Sequence, residues 1–254
     1  MTQTQKRASL AGTVFVAVII VFFVGPIAQD PNYHNFADQR LLFDIPNFGD
    51  VVSNVFFLVV GGYGVGVGLQ SSYRGGLIHL RKIYIVFFLG IFLTGFGSAY
   101  YHWSPNTSAL VWDRLPMTIA FMSLFSLVIG EQLSTGLGQK MFGPLIVFGV
   151  FSIAYWHFTE QKGMGDLRIY LLVQFLPVLL IPLLLLMFTS PFTSTVSIWC
   201  AIVLYLLAKI FELSDFAVYR LGMGFSGHSI KHVLAAFGAG SILWGLLNRK
   251  AISI

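Results

Sequence analysis

Gly227-His228-Ser229-Ile230-Lys231-His232 opens an apolar run that continues to about residue 247. About 20 apolar residues is the length an α-helix needs to cross a bilayer core. On such a helix the i, i+4 spacing of His228 and His232 puts both imidazoles on one face. The segment therefore predicts a membrane-spanning helix that starts with two metal ligands. A third histidine closes another apolar run, in Ser98-Ala99-Tyr100-Tyr101-His102. Three imidazoles on one ion leave a coordination position open for water. That is the layout of a catalytic zinc rather than a structural one.

The composition supports the membrane reading. Of the 254 residues, 56% are hydrophobic and only 10% are charged. Mean hydropathy is +0.80. Soluble domains carry roughly 25% charged residues, so a soluble domain is excluded and a polytopic, all-α integral membrane protein is expected. Eight runs have spanning length: 8–27, 50–70, 82–102, 113–132, 141–158, 168–188, 195–213 and 228–247. The expected organisation is an N-terminal tail and extra helix over 1–30, then one transmembrane domain over 31–254. Lys6 and Arg7 ahead of the first run resemble the start of a signal peptide. Pro26 spoils the small-residue site Gly25-Pro26-Ile27-Ala28, so an uncleaved helix is expected. The single Cys200, inside an apolar run, excludes an intrachain disulfide and is expected to be a buried, inert thiol.

The chain is basic, with a pI near 9.4, but its cations stand singly or in pairs between apolar runs. They read as topology determinants, not as a nucleic-acid surface. A cytoplasmic N-terminus puts eight inside: Lys6, Arg7, Arg74, Arg81, Lys82, Lys140, Arg249 and Lys250. Five fall outside: Arg40, Arg114, Lys162, Arg168 and Arg220. Both termini are therefore expected in the cytoplasm. Nine of the ten carboxylates then lie toward the outer face, with Glu131 the exception. Acids hardly influence insertion, so their gathering points to a function at that face.

The alternation of spans also places the chemistry in one outer layer. His102 ends the third run, Asp113 opens the fourth and His228 opens the eighth. Ser98 and His232 each lie one turn deeper, about 6 Å at the helical rise. Each residue also has a plainer reading. Ser98 suits close helix packing, Asp113 beside Arg114 suits a local ion pair, and His102 suits an interface. His232, one turn inside an apolar helix, is costly there unless it has a function. Of the other histidines, His79 falls in an inner loop, His157 in an aromatic belt and His34 in the first outer loop.

The segment Gly97-Ser98-Ala99-Tyr100-Tyr101-His102, then Asp113-Arg114-Leu115-Pro116-Met117, then the His228/His232 pair, resembles the alkaline ceramidase family. That family sits within the CREST superfamily of seven-helix membrane hydrolases, which also holds the adiponectin-receptor group. The likeness runs in order from about residue 44 to the C-terminus. It implies a seven-helix bundle, preceded here by one extra N-terminal helix, eight in all. It further implies that His102, His228 and His232 bind zinc while Ser98 and Asp113 complete the active site. Asp113 is then the proton acceptor and Ser98 a partner of the oxyanion or of the attacking water. The implied substrate is a membrane lipid amide, ceramide-like or another N-acyl lipid.

Two departures stand out. Where the family pattern has an acidic residue after the Asp, this chain has Arg114. Animal members carry calcium ahead of their first core helix. Asp38, Asp44 and Asp50 are the candidates for such a loop here, but they do not match that site residue by residue, and Asp50 also reads as a helix N-cap. Lys209 and Glu212, at i, i+3 spacing, are candidates to fix a hydrogen bond to a ligand histidine, or else simply end their helix. The competing functions are a seven-helix zinc-containing receptor and a divalent-metal transporter. A transporter would need ligands near the midplane and carboxylates in both leaflets. A serine protease lacks a histidine placed as its base. Neither nucleic acid nor an obligate protein partner is expected.

Overall fold

The computed structural model describes residues 1–70, 75–222 and 224–252. Arg74, counted above among the inner cations, lies outside the described residues. Among those residues there is no strand beyond two isolated bridges, Leu42 to Ile45 and Phe192 to Ala251. The helices are α1 (Gln3–Phe23), α2 (Phe48–Val52), α3 (Val55–Leu69), α4 (Arg81–Trp103) and α5 (Thr107–Gln132). They continue with α6 (Thr135–Gln161), α7 (Arg168–Met187), α8 (Val196–Leu213), α9 (Asp215–Tyr219) and α10 (Gly227–Asn248). Counting α2 and α3 as one, eight helices are long and apolar enough to cross a membrane. The protein is an all-α membrane bundle.

Local sequence explains where these helices begin. The Thr2 hydroxyl and the Gln5 side chain form a reciprocal capping box on α1. Asn106, Ser134 and Ser226 each accept a backbone N–H at the starts of α5, α6 and α10. Pro116, Pro144, Pro177 and Pro182 lie inside helices. A membrane bundle tolerates them because neighbouring helices re-satisfy the freed backbone groups.

Packing puts α5 at the centre, against α4 and α6. Helix α3 covers the other side of α4, and α10 pairs with α8. Helix α1 buries no residue and lies outside, against α7. Glycine sets the closest crossing. A Cβ on Gly97 would overlap the Trp112 carbonyl, so only glycine lets α4 and α5 meet there. That approach brings Ser98 and His102 of α4 beside Asp113 of α5. Cys200 is exposed on the outer surface of the bundle, not buried as expected. It lies about 200° around α8 from buried Ile198, on the far face.

The end of the bundle away from His102 is closed by an ion pair. Arg249 bonds Glu131 and Tyr84, donates to the Gly75 carbonyl at 2.6 Å and stacks on Phe192, 3.8 Å from the ring centroid. Both charged side chains are buried. Removing one partner of a buried pair costs about 3–5 kcal/mol, because the other charge is left uncompensated. Glu131→Gln should therefore lower the thermal unfolding midpoint in detergent, while Glu160→Gln, on the opposite end, serves as a control. An unchanged midpoint for Glu131→Gln would remove the pair from the account of stability.

Candidate metal centre

Helix α10 starts hard against the corner between α8 and α9. A Cβ on Gly227 would run into the Phe211 carbonyl and the Asp215 backbone. The Asp215 carboxylate accepts the backbone N–H of His228 at 2.9 Å and that of Ala37 at 2.9 Å. The first turn of α10 is thereby fixed against the loop before α2. His102 comes down from the end of α4 to meet it. His102, His228 and His232 are 1%, 3% and 2% exposed.

The three rings converge. His102 Nε2 and His228 Nε2 are 3.2 Å apart, and one ligand nitrogen from each of the three lies within 4.8 Å of the others. Neighbouring nitrogens on a tetrahedral zinc, with bonds of about 2.0–2.1 Å, stand about 3.3 Å apart. The His102–His228 edge already has that length. Ring nitrogens facing one another in a dry site need a proton or cation between them. The donor set therefore fits a zinc-sized ion. The Phe36 ring closes one side, 4.6 Å from the His102 ring and 4.5 Å from that of His228.

The residues behind the ligands were not identified from sequence. His232 Nδ1 lies 2.8 Å from Ser53 Oγ, and the Ser53 hydroxyl in turn donates to the Asp50 carbonyl at 3.2 Å. That contact leaves Nε2 for the ion and sets the ring orientation. Asn47 donates to the His102 carbonyl at 2.8 Å. Ser53 stands in the first turn of the second run and Asn47 just ahead of it, at the end where the alternation of spans puts the histidines, which is the one signal the sequence carried. Partners of this kind are worth about 10–100-fold in metal affinity. Ser53→Ala should weaken zinc binding by that factor in a competition titration, and an unaltered affinity would show that Ser53 does not orient His232.

Asp50 is not an N-cap. Asn47, in the left-handed conformation at φ 48°, occupies the N-cap of α2. Asp50 lies inside that helix, where Oδ1 accepts the Ser226 hydroxyl at 2.7 Å and that of Ser229 at 2.6 Å. It ties α2 to α10. Asp38 is bound in two-pronged fashion by Arg40, at 2.7 Å on each oxygen, and accepts Gly49 N–H at 2.9 Å. Burial pushes its carboxyl upward, but those hydrogen bonds prevail and hold it below the usual range. Asp44 is exposed. Among the described residues, the histidine trio is the group of three or more such side chains within metal-binding reach. Asp38, Asp44 and Asp50 form no such group, since two of the three are committed to protein partners.

Ser98 and Asp113, 1% and 7% exposed, line the wall of one cavity. Arg114 forms no ion pair with Asp113. Its guanidinium is boxed by Trp156, Tyr170 and Tyr33, at 4.5, 4.8 and 5.3 Å from the ring centroids. Lys209 and Glu212 form the expected pair on α8, but Glu212 bonds no histidine. It reaches Lys231 Nζ at 2.8 Å instead, and Lys231 Nζ stands 3.2 Å from His228 Nε2. Lys231 thus sits beside the ligand cluster, with Glu212 supplying compensating charge. Its signal was its place between two histidines in an apolar helix, where a buried cation is expensive. His34 stands one layer outside, 2.8 Å from the Tyr101 hydroxyl and 3.2 Å from that of Thr107. Burial first, and Arg114 second, hold its imidazole below the ordinary value. His157 is bonded to Gln161 and His79 lends its carbonyl to Gln139, both away from the centre.

A cavity of about 430 Å³ meets this cluster. Ser98, Asp113, Lys231 and His232 line one part of it, and Ile198 and Ile242 line another. Glu212 and Ile198 lie 14 residues apart on α8, and both touch the cavity. That corresponds to about 21 Å along the helix, most of the roughly 30 Å hydrocarbon core. Most of the wall beyond the cluster is apolar, with Gln174 bonded to the Tyr205 hydroxyl as a polar exception, so the void suits a lipid chain whose polar end meets the histidines. The protein is a membrane helix bundle with a buried triple-histidine group able to bind a metal. The chain matches no family model and no curated protein, so the assignment of the site rests on its own geometry.

Proposed function

We propose that this protein is a zinc-dependent membrane hydrolase that cleaves the amide of a ceramide-like or other N-acyl lipid. The resemblance to alkaline ceramidases suggests it, and one observation carries it. Ser98, Asp113 and His232 share the wall of a single cavity that continues as a long apolar chamber. An acyl chain in that chamber places its amide at the polar end.

His102, His228 and His232 would hold the ion. Zinc supplies Lewis acidity toward a carbonyl oxygen and acidifies a water ligand. Asp113 takes the proton of the attacking water as its oxygen adds to the amide carbon. Ser98 and the Lys231 ammonium stabilise the charge developing on the carbonyl oxygen. The C–N bond then breaks and Asp113 returns its proton to the leaving nitrogen, giving a fatty acid and an amine. Phe36 and the surrounding aromatic rings exclude bulk water, which strengthens each of these interactions.

Following the positive charges, we place both termini in the cytoplasm and the histidine cluster near the outer face. Purified, zinc-loaded protein should release fatty acid from a panel of lipid amides in mixed micelles. A chelator should stop the release and added zinc restore it. No release from ceramides, N-acylethanolamines or N-acyl amino acids would sink the hydrolase reading.

A further inference from the structure

Arg114 has no part in the chemistry above, yet its surroundings call for an acceptor. The residue is 5% exposed and lines the same cavity as Ser98, Asp113 and His232. The aromatic box satisfies the faces of its guanidinium but none of its N–H groups. Nη1 is buried without a hydrogen-bond partner, and among the described residues no carboxylate pairs with the side chain. The ring it stacks on most closely repeats the deficit, because the indole Nε1 of buried Trp156 also lacks a partner. Two neighbouring donors with nothing to accept from them are rare in a packed protein. The other two cations on the cavity wall, Lys209 and Lys231, are both paired with Glu212. Arg114 is therefore the wall cation left for a ligand.

We propose that Arg114 determines specificity by binding the carboxylate of an acidic lipid amide, an N-acyl amino acid. The inference rests on the amide-hydrolase reading and narrows its substrate class. A carboxylate matches the planar fork of a guanidinium, which a neutral hydroxyl head does not. In an N-acyl amino acid that carboxylate lies one carbon from the amide nitrogen. Asp113, which serves that nitrogen, lines the same cavity as Arg114.

The test uses full-length protein in detergent, stripped of metal, and titrated with N-palmitoylglycine and with its neutral methyl ester. The acid should bind about 10–100-fold tighter than the ester, as expected for a charge-assisted hydrogen bond in a buried site. In Arg114→Gln that ratio should fall to near one, and Arg114→Lys should keep part of it. A wild-type ratio near one overturns the proposal, as does an Arg114→Gln protein that elutes as a folded species and keeps the preference. If Arg114→Gln does not fold, the wild-type ratio and the lysine variant decide the matter. Zinc-loaded protein separates this idea from the one beneath it. Tight acid binding without release of fatty acid from N-palmitoylglycine or from any other lipid amide of the panel sinks the hydrolase reading and leaves the acid site standing. Equal turnover of acid and ester does the reverse.

Discussion

Replacing His232 with alanine is expected to give a protein that folds, purifies with almost no zinc and releases no measurable fatty acid. His232 is the ligand whose orientation Ser53 Oγ fixes, 2.8 Å from its Nδ1. It is also the ligand that lines the substrate cavity. Losing it leaves two ligands, fewer than the three of known catalytic zinc sites. It also removes the side chain that faces the chamber. The fold should tolerate the change, because the start of α10 is held elsewhere, by Ser226, Asp50 and Asp215. Zinc content by atomic absorption and fatty-acid release by mass spectrometry read the two effects separately. Full zinc occupancy in a folded His232→Ala protein would falsify the assignment of the metal centre.

The second large effect concerns Asp113. Asp113→Asn preserves shape and burial but removes the proton acceptor. General base catalysis contributes about 10²–10⁴-fold, so kcat should fall by that factor. Zinc content should stay at the wild-type level, because Asp113 is not in the ligand group. That split distinguishes a proton-transfer role from a ligand role. A loss of zinc that parallels the loss of activity would make Asp113 part of the metal site. An unchanged kcat would transfer the proton to another group.

Much of this architecture was readable from the chain because the relevant signals are local. Spanning length is a matter of consecutive apolar residues, and all eight runs became helices of spanning size. The level of each polar residue along its span follows from counting. His102, Asp113, His228 and His232 were therefore expected in one layer, and the structure brings them to one end of the bundle.

What counting could not supply was the rotation of each helix about its own axis. In water, the apolar face of a helix marks its buried side. In a bilayer, lipid is as apolar as the protein interior, so that contrast vanishes. Cys200 illustrates the failure: an apolar run was taken for burial, whereas the residue faces outward. Lys231 was visible in the very hexapeptide that carries two of the three histidines, yet its partner Glu212 lies 19 residues away on another helix. Asp50 was read as a local cap because its true partners, Ser226 and Ser229, are more than 170 residues distant.

The chain by itself determined that eight helices are long and apolar enough to cross a membrane, and that three imidazoles, a serine and a carboxylate fall near one end of their helices. The tertiary structure alone decided that those groups face one another across α4, α5 and α10, with Ser53 behind His232 and Arg114 boxed by aromatics. Depth follows from hydropathy along one strand of sequence. Facing depends on side-chain packing between helices far apart in the chain, such as the contact that Gly97 permits against Trp112, and no single segment encodes it.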